Sequence, residues 1–284
     1  MFSSVELSDH SQLSQLFFRY GQASSDHSFV NAFGWQKVFN LQKALLPGGV
    51  CLRFVHEGYG PLMLYPVGPE PHRAYQVLCR ELEPGEYDFL CLSSQKLPPN
   101  TLRVEPVRDL WDYLHRASDL VEYPGKELRT QRQQAQAFWR EYPGARLELC
   151  DFWGEELPGA VSDLWDPAAP ATAKETSFLK TVLPHARVLG LLGANLWVGE
   201  QCVGFTLASW LKPEVLNVHV EKANVAYKGV YAALRQGFLR ELMARQAVAW
   251  VNREEDMGLL PLREAKLRLR PCHFVEKSRV TVGI

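Results

Sequence analysis

Residues 217–221, Asn-Val-His-Val-Glu, alternate polar and apolar side chains with the two-residue period of a β-strand. That period sets Asn217, His219 and Glu221 on one face and Val218 and Val220 on the other. A sheet with one wet face would simply solvate the polar row. The apolar runs 202–210 and 247–251 predict instead a central strand, where Asn, His and Glu are costly to bury unless they line a cleft. A cleft lined by titratable groups is what a catalytic or binding site requires.

Two further constellations follow in the chain. Lys222-Ala-Asn-Val-Ala-Tyr227-Lys-Gly229-Val-Tyr231 opens a helix expected over 229–244, and unpaired N–H groups at a helix start hold phosphate well. With a single glycine, the segment fits neither a Walker loop nor a dinucleotide fingerprint. The densest group is Asn252-Arg253-Glu254-Glu255-Asp256-Met257-Gly258, with Arg263, Lys266 and Pro271 beyond it. It directly follows an apolar strand, the end of the strand at which α/β sheets place functional groups; a solvated charged loop is the alternative. Residues 263–279 carry six Lys or Arg against Glu264 and Glu276, a local excess of four positive charges. Such a patch suits a polyanion such as coenzyme A or the acceptor end of a tRNA. There is no H-E-x-x-H, and the other histidines lack ligand spacing, so no metal site is expected. Without a G-x-S-x-G, no hydrolase nucleophile elbow is expected either.

The elements that must position these residues read as follows. Helical periodicity predicts helices over 11–20, 30–45, 72–81, 126–142 and 229–244, with a shorter one near 262–267. Strands are predicted at 50–55 and 62–65, joined by Gly58-Tyr59-Gly60, and at 87–92, 146–150, 188–192, 196–198, 202–210, 215–220, 247–251 and 273–280. Helical material is expected on both sides of Asp166-Pro167. On the helix 126–142, Lys126, Arg129 and Arg132 form either a solvated or a phosphate-contacting face. The alternation of strands and helices gives an α/β (α+β) chain with a mixed sheet in its second half.

Composition bounds the rest. The chain has 284 residues, 46% hydrophobic and 22% charged, with a net charge of −1, so it is folded and has no global field for nucleic acid or an anionic bilayer. Six scattered cysteines without a C-x-x-C pair read as free thiols in a reducing compartment. The polar start lacks a signal-peptide pattern, and no apolar run reaches membrane-spanning length, so a cytoplasmic protein is expected.

The runs VHVEKANVAYKGVYAALRQGF, VNREEDMGLLPLREAKLRLRP and EKSRV resemble a bacterial family of uncharacterised proteins related to the C-terminal domain of phosphatidylglycerol lysyltransferase. HSFVNAFGW at 27–35, YDFLCL at 87–92 and YPGKELRTQRQQAQAFWREYP at 123–143 fit the same pattern, so the likeness spans nearly the whole chain. Leu260-Pro261, where a glycine often precedes L-R, and the stretch 267–270 depart from it.

The resemblance implies two tandem lobes of the GNAT acyltransferase type, here 1–143 and 144–284, each a mixed sheet flanked by helices, with strands that splay to admit an acyl donor. It also implies transfer of an acyl or aminoacyl group to a small-molecule amine, with acyl-CoA or aminoacyl-tRNA as donor and no cofactor beyond it. On that analogy Glu221 is a general base or a water-positioning residue, with His219 beside it. Backbone N–H groups near Gly229, flanked by Lys222, Tyr227 and Tyr231, take a phosphate. Arg253, Arg263 and Lys266 bind the donor, while Asn252, Glu254 and Asp256 orient the acceptor. The alternative is a non-catalytic double lobe that binds a small polar or anionic ligand, since fold-level analogy does not establish activity.

Overall fold

A computed structural model of the chain describes residues 1–150 and 170–284, and its strands divide between two seven-stranded sheets. The first stretch runs β1 (Ser3–Ser4), α1 (His10–Tyr20), α2 (Phe29–Gly34), α3 (Gln36–Phe39), β2 (Gln42–Leu46), β3 (Gly49–His56), β4 (Gly60–Leu64), α4 (Pro71–Glu81), β5 (Glu86–Leu92) and β6 (Thr101–Pro106). It continues with β7 (Asp112–Arg116), α5 (Ala117–Glu122), α6 (Arg129–Glu141), β8 (Arg146–Cys150), α7 (Pro170–Val182), β9 (Leu192–Val198) and β10 (Gln201–Lys212). The last elements are β11 (Val215–Ala223), α8 (Val230–Met243), β12 (Trp250–Asn252), α9 (Leu260–Leu267), β13 (His273–Val275) and β14 (Lys277–Gly283). One sheet has the order β1-β2-β3-β4-β5-β14-β6 and the other β13-β7-β12-β11-β10-β9-β8.

Several elements depart from the sequence expectations. The helix expected over 30–45 stops at Phe39, because Asn40 takes a left-handed φ of 48°, and Gln42–Leu46 then pairs with β3 as a hairpin. Of the two strands expected at 188–192 and 196–198, the second falls within β9, which pairs along β10, whereas the first meets β9 only at Leu192 because 186–190 form a turn. β6, β7 and α5 were not expected at all. The expectation of helix around Asp166-Pro167 lies partly outside the described residues.

Two compact units result. Met1–Asp112, Glu255–Gly258 and Phe274–Ile284 form the first, Tyr113–Glu254 and Leu259–His273 the second. The division therefore differs from an expected break at 143/144. β14 returns to the first sheet, where it lies antiparallel to both β5 and β6.

In the first unit, Lys277 is buried on β14, 2.8 Å from Asp112 and 2.6 Å from Asp26. Burial opposes its charge, but the two carboxylates outweigh that and raise its pKa. All six cysteines are free, and Cys51, Cys91 and Cys202 are buried.

In the second unit the sheet packs one face on α8. Leu216, Val218 and Ala208 share a core with Ala232, Phe238 and Leu239 of that helix and with Leu120 and Tyr123. Gly229 caps α8 with φ 83°, and a Cβ there would overlap the backbone carbonyl of Gln134 on α6. The glycine is thus needed for both conformation and close helix contact. We expect Gly229→Ala to destabilise the protein by roughly 2 kcal/mol or more, since it adds strain and overlap together. Urea unfolding would show this, and an unchanged midpoint would contradict it.

Candidate functional site

The second unit's central strand does not keep its alternation. Between Leu207 and Ala208 the β10–β11 register shifts: Leu207 faces Val220, whereas Ala208 faces Val218. One extra residue, His219, is therefore inserted in β11 as a bulge. Along β10, Gly204, Thr206 and Ala208 lie on the α8 face, because a Cβ on Gly204 would touch Leu234 and Ala208 belongs to the α8 core. Their partners Ala223, Glu221 and Val218 share that face. Ser209 and Leu207 point the other way, with Asn217 and Val220 opposite them.

This overturns the expectation of a single polar face. Asn217 and His219 lie on the side of α7, where the Phe178 ring is 5.8 Å from the imidazole, and Glu221 lies on the side of α8. The inserted residue reverses every side chain after it.

β11 and β12 part early. Their parallel pairing covers Val215 with Trp250, Leu216 with Val251 and Asn217 with Asn252, while β11 runs on to Ala223. The chain beyond Asn252 stays with β7 instead: Arg253 N–H donates to Tyr113 C=O at 2.9 Å, and Tyr113 N–H to Glu254 C=O at 3.3 Å. A wedge opens between the two strands just past Asn217. The Asn252 side chain, fully buried, accepts from Glu254 N–H at 2.6 Å and holds Glu254 in a left-handed turn with φ 57°.

On the α7 side of the wedge, Glu254 Oε1 lies 2.7 Å from Asn217 Nδ2 and 3.0 Å from His219 Nδ1. The other imidazole nitrogen, Nε2, is 2.8 Å from Ser209 Oγ. On the α8 side, Glu221 is held by Arg235 at 2.7 Å and by Arg253 at 3.2 Å. Burial pushes the Glu221 carboxyl up, but Arg235 and then Arg253 outweigh it and hold the group below its ordinary range. Glu221 is thus a poor proton acceptor. For Arg253, burial is only partly offset by Glu221, and Arg235 repels it, which brings the guanidinium down to about 10. Burial, with Arg253 and Arg235 nearby, also keeps His115 well below its usual value and so neutral.

The remaining sequence-predicted residues scatter. Lys266 Nζ donates to the Arg253 carbonyl at 2.5 Å, so it joins the cluster as a backbone anchor. Lys222 is paired with Glu175 of α7 at 2.5 Å. Tyr227 donates to Gln201 at 2.7 Å and packs on Tyr142. Tyr231 is half-buried in the first turn of α8, where burial raises its phenol. Gly229 is accounted for by its packing on α6, and Arg263 is half-buried on α9. Asp256 belongs to the first unit, fully buried, 3.3 Å from Arg108 and accepting from Gly258 N–H at 2.9 Å. Arg132 spends its guanidinium on the carbonyls of Tyr123 and Gly125.

Sequence reasoning missed Ser209 and Arg235. Ser209 sat in an apolar run with no signal. Arg235 did have one: Ala232, Arg235, Leu239 and Leu242 fall on one helical stripe, all buried.

Glu221→Gln leaves two buried guanidiniums without their counter-charge, and we expect a loss of about 3 kcal/mol at pH 7. Because the folded-state pKa of Glu221 lies below the unfolded one, its contribution is present above about pH 4.3 and fades as pH falls through the folded value. Urea unfolding of the variant should therefore show a shallower loss of stability below that pH than the parent. Equal acid sensitivity in the two would contradict the assignment.

A family profile described as phosphatidylglycerol lysyltransferase, C-terminal, matches residues 17–281. Among solved structures, a conserved protein of unknown function from Bacteroides thetaiotaomicron is 24% identical, with a TM-score of 0.82 and 99% of each chain covered. The structure of L-PGS from Bacillus licheniformis is 12% identical, with a TM-score of 0.57, covering 96% of this chain and 91% of that one. A tandem GNAT protein from the clavulanic acid biosynthesis pathway is also 12% identical, with a TM-score of 0.50 and 100% and 98% covered. No curated protein matches the sequence. The two seven-stranded mixed sheets with flanking helices are the tandem GNAT-like arrangement. The chain belongs to the phosphatidylglycerol lysyltransferase C-terminal family.

Proposed function

We propose that the second unit transfers an activated acyl or aminoacyl group, carried as a coenzyme A thioester or an aminoacyl-tRNA ester, to an amine. The observation that carries this reading is the end of β11–β12 pairing at Asn217–Asn252, with His219 and Glu254 just beyond it. Beyond Asn217 the strand β11 has no β12 ladder beside it, which suits the pairing of an extended donor along it. The amine must lose a proton as it attacks, and the imidazole of His219, beside the end of the ladder, supports its role as the acceptor. Glu254 holds the ring from one end and steadies the charge it gains. Arg235 and Arg253 each keep an Nε–H without a hydrogen-bond partner among the described residues, beside the single Glu221 carboxylate. Together with Glu221 they leave a net positive charge on the α8 side of the strand, a potential that favours a donor phosphate there.

The non-catalytic alternative is favoured by one feature, the pairing with two guanidiniums of Glu221, for which the resemblance implies a general-base or water-positioning role. Among the described residues no helix is long and apolar enough to cross a membrane, which makes a water-dissolved acceptor the first to try. The purified chain, given radiolabelled acetyl-CoA or lysyl-tRNA with a panel of amines, should form an amide product. His219→Asn should lower turnover by about 10²-fold or more. Label on phosphatidylglycerol vesicles and on no amine would move the acceptor to a lipid hydroxyl. Binding of a donor without product would favour the ligand-binding alternative, and neither binding nor product would remove the reading.

A further inference from the structure

Resting on the acyl-transfer reading, we propose that Ser209 is a nucleophile, activated by His219 and Glu254, which carries the acyl group as a serine ester between donor and acceptor. The three residues come from β10, β11 and the turn that ends β12. They form one line: Ser209 Oγ to His219 Nε2 at 2.8 Å, His219 Nδ1 to Glu254 Oε1 at 3.0 Å.

The hydrogen-bond polarity follows from the partners. A carboxylate has no proton to give, so in the neutral ring Nδ1 carries the hydrogen and donates to Glu254. Asn217 Nδ2 donates to the same oxygen, so its 3.1 Å approach to Nδ1 is two donors converging on one acceptor. Nε2 therefore holds the lone pair, and the Ser209 hydroxyl donates to it. That is the order in which a base activates a hydroxyl and a carboxylate orients the base.

The local backbone is shaped for this contact. Val220, not His219, faces Leu207 across the ladder, so the imidazole is displaced from the regular position and reaches Ser209, which faces Asn217 two residues earlier. Glu254 is held at φ 57°, a conformation costly for a side chain with a Cβ, and the Asn252 carboxamide oxygen keeps it there. An ordinary buried serine needs only a nearby carbonyl to satisfy it. Here an inserted residue and a left-handed glutamate are both spent on one Ser–His–Glu line.

The chemistry balances in two halves. Ser209 Oγ bonds to the acyl carbon as its proton passes to His219 Nε2, and the bond from that carbon to the donor sulfur or ribose oxygen breaks. The leaving group takes the proton from the imidazolium. The amine nitrogen then attacks the serine ester, its proton passes through His219 to Ser209 Oγ, and the amide leaves. Glu254 stays ionised throughout.

The test uses the full chain and a fluorophosphonate probe, which needs an activated serine and no transferase substrate. Intact mass and peptide mapping should show one adduct, on Ser209. The adduct should be absent in Ser209→Ala and form at least about 10²-fold more slowly in His219→Asn and Glu254→Gln. With acetyl-CoA and no amine, an acetyl ester should accumulate on the same peptide, and Ser209→Cys should hold it as a thioester. Circular dichroism and melting temperature establish that each variant is folded; if Ser209→Ala does not fold, the parent's adduct and the Cys thioester decide. No adduct on Ser209 in the folded parent overturns the proposal. So does amide formation by Ser209→Ala at the parent rate, which leaves acyl transfer standing as a direct reaction. A Ser209 adduct without any transfer product, amide or lipid ester, keeps the nucleophile and removes the transfer reading.

Discussion

One extra residue in β11 sets the chemistry of the second unit. A strand inserted in a sheet exposes its side chains to two different environments, and a single bulge exchanges them for everything downstream. Upstream of His219, Val218 packs into the α8 core and Asn217 points toward α7. Downstream, Glu221 and Ala223 face α8 instead. The polar residues of one short segment are thereby split between two clusters with different partners. On one side a carboxylate meets two guanidiniums; on the other an imidazole meets a carboxylate and a hydroxyl.

The wedge beside that strand is a consequence of backbone accounting. Every buried N–H and C=O must find a partner, and the chain after Asn252 finds its partners on β7. Trp250–Asn252 pair on both sides, with β7 and with β11, and the parallel ladder to β11 ends after these three pairs. The left-handed turn at Glu254 is where the direction changes. A glycine would adopt that conformation more cheaply but would bring no carboxylate to His219.

Much of this was legible in the residues. Apolar periodicity located α1, α4, α6, α8, β10 and β11 closely, because these elements bury a continuous stripe or run. The polar pattern at 217–221 and the charged loop after the apolar strand both lead to the cluster where His219 and Glu254 meet. What failed has identifiable causes. β6 is mostly exposed, with Leu102 and Val104 facing outward, so its pattern carries no buried face to read. The helix expected through Leu45 failed because a hairpin partner overrode helical spacing past Asn40. The return of β14 to the first sheet has no local signal, because it pairs with a strand nearly two hundred residues earlier, a contact no local window contains. The bulge was missed for a related reason: strict alternation in sequence is also what an unbulged strand would show, and only the partner's register distinguishes the two. Asp256 and Glu254 are two residues apart, and the charge run gave no sign that they fall in different units.

The Glu221–Arg235–Arg253 group is better understood as a clamp than as a source of stability. Buried ion pairs often do no better than apolar side chains of the same volume, because desolvation consumes most of the attraction. Its geometric effect is different. Arg253 stands between Asn252 and Glu254, and Arg253 and Glu254 are each fixed from more than one direction. The Asn252 carboxamide holds the Glu254 N–H, and Lys266 holds the Arg253 carbonyl. Glu221 holds the Arg253 side chain from the α8 side, while Asn217 and His219 hold Glu254 from the α7 side. A residue pair straddling the sheet edge is thereby anchored on both faces at once. Catalytic groups tolerate only small displacements from productive geometry, and a turn left to its own flexibility would not keep a carboxylate 3.0 Å from an imidazole nitrogen. The ion group on one side of the sheet thus gives positional rigidity to the hydrogen-bonded Ser209–His219–Glu254 line on the other.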